Sequence, residues 1–201
     1  MPSIYQLKSA FQNFLRPTTQ RLFRLGVTAN HVTWAAMLLS CLVGGLLFIF
    51  PNRWVLFLIP LFLFFRMALN AIDGMLAREH HQKSALGAVL NELGDVVSDA
   101  ALYLPFALLP GTSPALLVIT VFLALLSEMT GIIAVQIGAT RRYDGPMGKS
   151  DRAFVFGAIA LALALGVPFG HWQNLAFTAV ALLLVLTIFN RVRGALQEVW
   201  G

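Results

Sequence analysis

Acidic residues are scarce in this chain: nine Asp and Glu stand among 201 residues, against fourteen Lys and Arg. Charged residues of both signs make up 11% of the sequence, hydrophobic residues 58%, and mean hydropathy is +0.78. So little charge cannot coat a water-soluble fold of this size, which points to a polytopic membrane protein. There is one cysteine, Cys41, so no intramolecular disulfide can form, and its position in the first long apolar run predicts a small, buried apolar residue. A short basic-then-apolar leader is also missing: about thirty mixed residues precede the first long apolar run, so the N-terminus is predicted to be retained. The net charge of +5 does not signal nucleic acid, because the basic residues sit at the ends of apolar segments instead of forming a patch interleaved with aromatics.

What is present is a series of long apolar runs. From Ile4 to Leu25, apolar Ile4, Leu7, Phe11, Phe14, Leu15, Leu22 and Leu25 recur at helical spacing between Lys8, Arg16, Arg21 and Arg24. This predicts an amphipathic helix on the membrane surface, interrupted near Pro17 and closed by Gly26. Thr28 to Thr33 supplies capping side chains for a first span over Val32 to Phe50. Further spans are predicted over Trp54 to Ile72, with helix continuing to Arg78, and over Ala85 to Leu109, Ala115 to Gly138, Ala153 to Val167 and Trp172 to Phe189. The fourth is interrupted by Ser127 and Glu128, and the longest polar connection runs from Thr140 to Arg152. The expected fold is therefore all-α and polytopic. It is one domain, with an amphipathic interfacial region over 1–27 and a six-helix transmembrane bundle over 32–190. All basic residues outside the apolar runs fall on the side of the two termini except Arg53, which predicts cytoplasmic N- and C-termini.

Four of the nine acidic residues, Asp73, Glu92, Asp95 and Asp99, lie in or at the ends of these apolar segments. An ionisable group there is costly unless paired or coordinated, so its default reading is functional. Asn70, Asp73, Gly74 and Ala77 share one side of the second helix, with Arg78 beside them and Arg66 one turn deeper. On the third, Gly87, Asn91, Asp95 and Asp99 follow at intervals of four, a ladder up one face. Carboxylates on two neighbouring helices suit hard divalent cations such as Mg²⁺, and two such ions can clamp a diphosphate. Gly74 and Gly87 would let a ligand approach the backbone, and Arg78 offers a fork for phosphate oxygens. The competing reading makes Asp73 and Arg78 an interfacial ion pair and the glycines a means of close helix packing.

The pattern Asp73-Gly74-x-x-Ala77-Arg78, eight residues, then Gly87-x-x-x-Asn91-x-x-x-Asp95 resembles the signature of the CDP-alcohol phosphotransferase (CDP-alcohol phosphatidyltransferase) family. The six spans, the leading amphipathic helix, Thr28 to Thr33 and the Pro146 to Ser150 loop are similar to family features too. The resemblance is to its small bacterial inner-membrane subgroup. It implies a homodimeric enzyme of phospholipid synthesis that transfers the phosphatidyl group of CDP-diacylglycerol to an alcohol and releases CMP, with Mg²⁺ or Mn²⁺ as cofactor. Carried over by position, Asp73 and Asp95 are metal ligands, Asp95 is also the general base, and Gly74, Ala77, Arg78 and Gly87 line the cytidine-diphosphate site.

The sequence departs from the signature at two positions: Asn70 and Asn91 stand where the family has Asp. An amide oxygen can still coordinate, but each change removes a negative charge and weakens a two-ion site toward one ion. Asp99, one turn beyond Asp95, is a candidate replacement ligand, and Glu92, about 100° away on the helix, is a weaker one. Arg66 is left with Asp99, Glu92 or a donor phosphate as alternative partners. Arg141, Arg142, Lys149 and Arg152 are candidates to receive an acceptor bearing its own phosphate, such as glycerol phosphate or another phosphorylated polyol, with Lys149 foremost. They could equally be ordinary positive-inside residues. His80 and His81 are expected to be solvated. The alternatives to the enzyme are a non-catalytic CDP-lipid-binding relative with an impaired metal site, and a transporter. No inverted repeat or broken central helix supports the transporter.

Overall fold

The computed structural model describes residues 4–201, with side chains from Ser9 onward, so the side chains of Ile4, Leu7 and Lys8 on the predicted amphipathic face lie outside the described set. Seven α-helices follow in order: α1 (Ile4–Arg24), α2 (Ala29–Ile49), α3 (Arg53–Glu79), α4 (Ala85–Tyr103), α5 (Pro114–Gln136), α6 (Lys149–Ala164) and α7 (His171–Trp200). A 3₁₀ segment, Leu104–Leu108, continues α4, and there is no strand among the described residues. Four helices, α2, α3, α5 and α7, are long and apolar enough to cross a membrane. The other two expected spans differ in kind: α4 carries Glu92, Asp95 and Asp99, and α6 has only 16 residues.

Several boundaries differ from those read off the sequence. α1 passes through Pro17 without a break, at the expense of the one backbone bond that Pro17 cannot donate. The helix α5 also runs unbroken through Ser127 and Glu128, because both are buried and partnered rather than exposed to lipid. Lys149, Asp151 and Arg152 belong to α6, not to the preceding loop, since the Asp151 carboxylate accepts from the Gly148 N–H at 2.9 Å and caps the helix there. α7 continues past Phe189 to Trp200, so Arg191 and Arg193 are helical. Cys41 is exposed, on the same outward face as Leu38 and Leu42. Because α2 is apolar all round, hydrophobicity could not reveal its inner face.

The chain forms two compact units, Met1–Leu42 with Phe64–Ser98, and Val43–Leu63 with Asp99–Gly201. The first has a small core of Leu15, Ala29, Val32, Ile72, Met75 and Leu76. Here α1 is tied to the end of α3 by Arg16, which pairs with Glu79 at 2.9 Å, and by Phe23 stacked on His80 with centroids 4.0 Å apart. His80 is thus a packed residue and not a solvated one, while His81 is exposed and takes a left-handed turn at φ 57°. Thr28 caps α2 as expected, its Oγ1 accepting from the His31 N–H. Gln82 adds an acceptor for the Ala29 N–H at 2.7 Å.

The second unit holds the larger core, in which Tyr103 stacks on Phe156 at 4.0 Å and Phe106 and Phe177 close around the same ring. Its polar connection, residues 137–148, is pinned by backbone and side-chain bonds. The Arg142 N–H donates to the Gly131 carbonyl of α5, and the Met147 N–H donates to the Thr187 hydroxyl of α7.

Candidate active site

The signature residues lie in the first unit, on the final turns of α3 and the opening turns of α4. Asp73 is buried, and its Oδ2 lies 3.1 Å from the Thr33 hydroxyl of α2. That hydroxyl is also 3.0 Å from the Ala29 carbonyl, so its single proton serves one acceptor at a time. Arg66, 3% exposed, donates from Nη2 to the Asp95 carbonyl at 3.2 Å, with Asp95 Oδ1 at 3.5 Å. Asp95 is thus a partner of Arg66 that the sequence did not single out. The guanidinium thereby orients the carboxylate that the resemblance makes the general base.

The glycines have steric reasons of their own. A Cβ at Gly74 would stand 3.0 Å from the Arg78 guanidinium, which folds back over the helix there. At Gly87 a Cβ would stand 2.8 Å from Asn30 Oδ1 of α2 and 3.0 Å from Ser84 Oγ. Ser84 Oγ accepts from the Gly87 N–H at 2.9 Å and so caps α4. No ion pair joins Asp73 to Arg78 among the described residues, and Arg78 is exposed.

Asn70 and Asn91 are half-buried on these same helices, and the Asn70 amide nitrogen is buried with no hydrogen-bond partner among the described residues. No three His, Cys, Asp or Glu side chains converge among the described residues. By resemblance, the amides at 70 and 91 stand where the family signature has carboxylates. Asp73, Asp95, Asn70 and Asn91 remain an all-oxygen donor set with two negative charges, which fits one hard divalent cation.

Glu92 lies half-buried on α4 in the first unit, whereas Asp99, Arg141, Arg142, Lys149 and Arg152 lie in the second, where Asp99 and Arg152 pair with each other. Asp99 is bound by Arg152, from Nη2 at 2.8 Å and Nε at 3.1 Å. Arg152 also reaches Glu128 at 3.0 Å, and with 1% of its surface exposed it has little left to offer a substrate. Expected as a substrate contact, it is held instead by two carboxylates and the Met147 carbonyl. Asp99, expected as a reserve metal ligand, is committed to that guanidinium. Arg141 pairs with Glu128 at 3.4 Å. Arg142 bridges Asp144 and Glu198, each at 2.7 Å, and its hydrogen bonds hold the Asp144 carboxyl below the usual carboxylate range. Lys149 is half-buried at the first turn of α6.

Two participants, Glu128 and Arg191, were not picked out as site residues. Arg191 donates to the Ser127 carbonyl, to the Asp144 carbonyl at 3.3 Å, and lies 3.5 Å from Glu128. The available signal was Glu128 itself, a carboxylate in the middle of an apolar helix. Arg191 reads in the sequence as an ordinary basic flank of a span.

Residues 26–189 match the family model for CDP-alcohol phosphatidyltransferase. The chain belongs to this family of enzymes. At the level of individual relatives, it is 48% identical to the inner membrane protein YnbA of Escherichia coli (strain K12) over 194 residues, covering 96% of both chains. It is 28% identical to the phosphatidylinositol phosphate synthase of Mycolicibacterium smegmatis, covering 96% of this chain and 88% of that one. Among solved structures, it resembles the Mycobacterium tuberculosis phosphatidylinositol phosphate synthase in complex with manganese and citrate, with TM-score 0.74, 22% identity and coverage of 89% and 87%. The same enzyme with CDP-DAG bound gives TM-score 0.66 and 24% identity, covering 92% of each chain. At these identities the two structures establish the shared fold.

Proposed function

We propose that the chain transfers the phosphatidyl group of CDP-diacylglycerol to an alcohol acceptor and releases CMP. The observation that carries this is the position of Asp95: in the signature place for the base, partly exposed, and oriented by a buried arginine. In this reading Asp95 takes the proton of the acceptor hydroxyl as its oxygen attacks the phosphatidyl phosphorus. The bond from that phosphorus to the bridging oxygen breaks, and CMP leaves with the electron pair. Arg78, exposed above Gly74, binds donor phosphate oxygens, and Gly74, Ala77 and Gly87 leave room for the cytidine diphosphate.

Asp73, Asp95, Asn70 and Asn91 would hold one Mg²⁺ or Mn²⁺. When bound, the ion neutralises charge on the diphosphate and its leaving group. Thr33 keeps Asp73 oriented, and Arg66 does the same for Asp95.

The wider setting belongs to the same proposal. α4 and α6 complete a six-span bundle as one membrane domain, with α1 on the interface, both termini cytoplasmic and the protein in a bacterial inner membrane as a homodimer. The lysine and arginine flanks support the orientation. Asp95 and Asp99 of α4 are partnered by arginines, which lowers the cost of placing them in a bilayer.

The test is CMP release from CDP-diacylglycerol by the purified protein with Mg²⁺ or Mn²⁺ across a panel of alcohols. Asp95→Asn is expected to lower the rate by about 10²-fold or more, the usual contribution of a general base. Equal rates for wild type and variant would sink the proposal.

A further inference from the structure

The first acidic residue of the chain is Asp73, so every charged side chain before it is basic. In the part of α1 with described side chains those residues are Arg16, Arg21 and Arg24. Arg16 is taken up by Glu79 at 2.9 Å. Arg21 and Arg24 are exposed and make no ion pair or hydrogen bond among the described residues.

At 100° per residue, α1 has two distinct faces. Leu15, Thr19 and Leu22 form the inner one: Leu15 joins the core with Ile72, Met75 and Leu76 of α3, Leu22 packs against that core, and Thr19 is buried beside Met75. Phe14, Thr18, Arg21 and Leu25 fall within about 60° of one another on the opposite, outward flank, and Arg24 borders it. Phe14 and Leu25 are each 78% exposed. Residues 25–28 join α1 to the start of α2, while Arg16 and Phe23 hold it to the end of α3 at Glu79 and His80. Both of those helices are long and apolar enough to cross a membrane. A helix tied to the ends of two spans lies at headgroup depth, where an exposed Phe and Leu can enter the acyl boundary and free guanidinium groups meet phosphate oxygens.

Resting on the proposed placement of α1 at the interface, we infer that its outward flank is a docking surface for anionic phospholipid headgroups, with Phe14 and Leu25 inserted and Arg21 and Arg24 on the lipid charge. Charge complementarity selects this occupant. The fold supplies neither arginine with a carboxylate, and an anionic surface favours docking by about fivefold for each, whereas a zwitterionic one gives no net attraction. The docked helix is the one that backs the signature end of α3, through Ile72, Met75 and Leu76. Arginines that served only as topology signals would leave the flank indifferent to lipid charge.

The experiment places the full chain in nanodiscs of phosphatidylcholine, alone or mixed with phosphatidylglycerol. Cys41 is the only cysteine, so Cys41→Ser with Thr18→Cys carries one spin label on the outward flank. Cys41→Ser with Gln20→Cys carries one about 200° away round the helix. Each label's accessibility to a neutral, water-soluble relaxation agent is read in both discs. With phosphatidylglycerol, the ratio of shielded to accessible label at position 18 should rise by about tenfold or more. High salt, or Arg21→Gln together with Arg24→Gln, should remove the rise, and the label at position 20 should stay accessible throughout. Equal shielding at position 18 in the two lipids overturns the selection of anionic headgroups and leaves α1 at the interface. Labels accessible at both positions in both discs overturn that placement as well. A rise that survives the double arginine substitution, or that appears equally at position 20, also overturns the inference. If the double variant does not fold, the salt series on the labelled chain with both arginines decides. None of these readings depends on CMP release, so failure of the transfer reaction is read separately.

Discussion

At the scale of single residues, the contacts of Arg66 and Asp73 separate orientation from chemistry. Arg66 is buried and touches Asp95 through a side-chain nitrogen, so in the proposed reaction it would act through the carboxylate it orients. Lysine would keep the charge but lose the planar fork. Arg66→Lys is expected to lower kcat by about tenfold, inside the 10²-fold that a misplaced group can cost, while KM for CDP-diacylglycerol stays within about twofold. Steady-state kinetics with varied donor check this, and a change confined to KM would make Arg66 a donor-binding residue. Asp144 offers a pH test away from the apolar helices. Its folded pKa is depressed by the hydrogen bonds from Arg142, so the stability it contributes is fully present above the ordinary carboxyl value of about 3.9. That contribution fades as pH falls through the lowered folded value. Unfolding midpoints of wild type and Asp144→Asn should therefore differ at pH 6 and converge well below pH 4.

At the scale of elements, close helix approach decides where side chains are forbidden. A Cβ at Gly44 of α2 would land on the Ala101 carbonyl of α4, a backbone atom that cannot swing aside. Gly44→Ala is expected to cost about 1–3 kcal/mol, the range for overpacking, seen as a lowered unfolding midpoint in detergent. Gly45→Ala, where a Cβ meets nothing within 4 Å, is the matched control. The existence and order of the helices were legible in the sequence because apolar runs of this length have few alternatives. Their ends were less so. Pro17 is carried within α1, and α7 passes Phe189 because no strong stop signal occurs there. The shared faces on α3 and α4 were visible from helical spacing, and the resemblance to the family marked them as a signature. Pairings such as Arg66 with Asp95, or Glu128 with Arg152, depend on which helices are neighbours and on the rotation of each, and an all-round apolar helix does not encode that rotation in its hydrophobicity.

For the whole molecule, an apolar scaffold holds two polar centres with different charge logic. The signature centre in the first unit has lost two carboxylates to Asn70 and Asn91, so its anionic character is modest. The cluster in the second unit matches arginines to carboxylates internally. The most direct test of the transfer reaction is the stoichiometry of products formed from CDP-diacylglycerol in the presence of the preferred alcohol and Mn²⁺, with CMP and lipid quantified together. One new phosphatidyl-alcohol formed for each CMP released is the predicted result. CMP accompanied only by phosphatidic acid, or no CMP above the Asp95→Asn background, would contradict it.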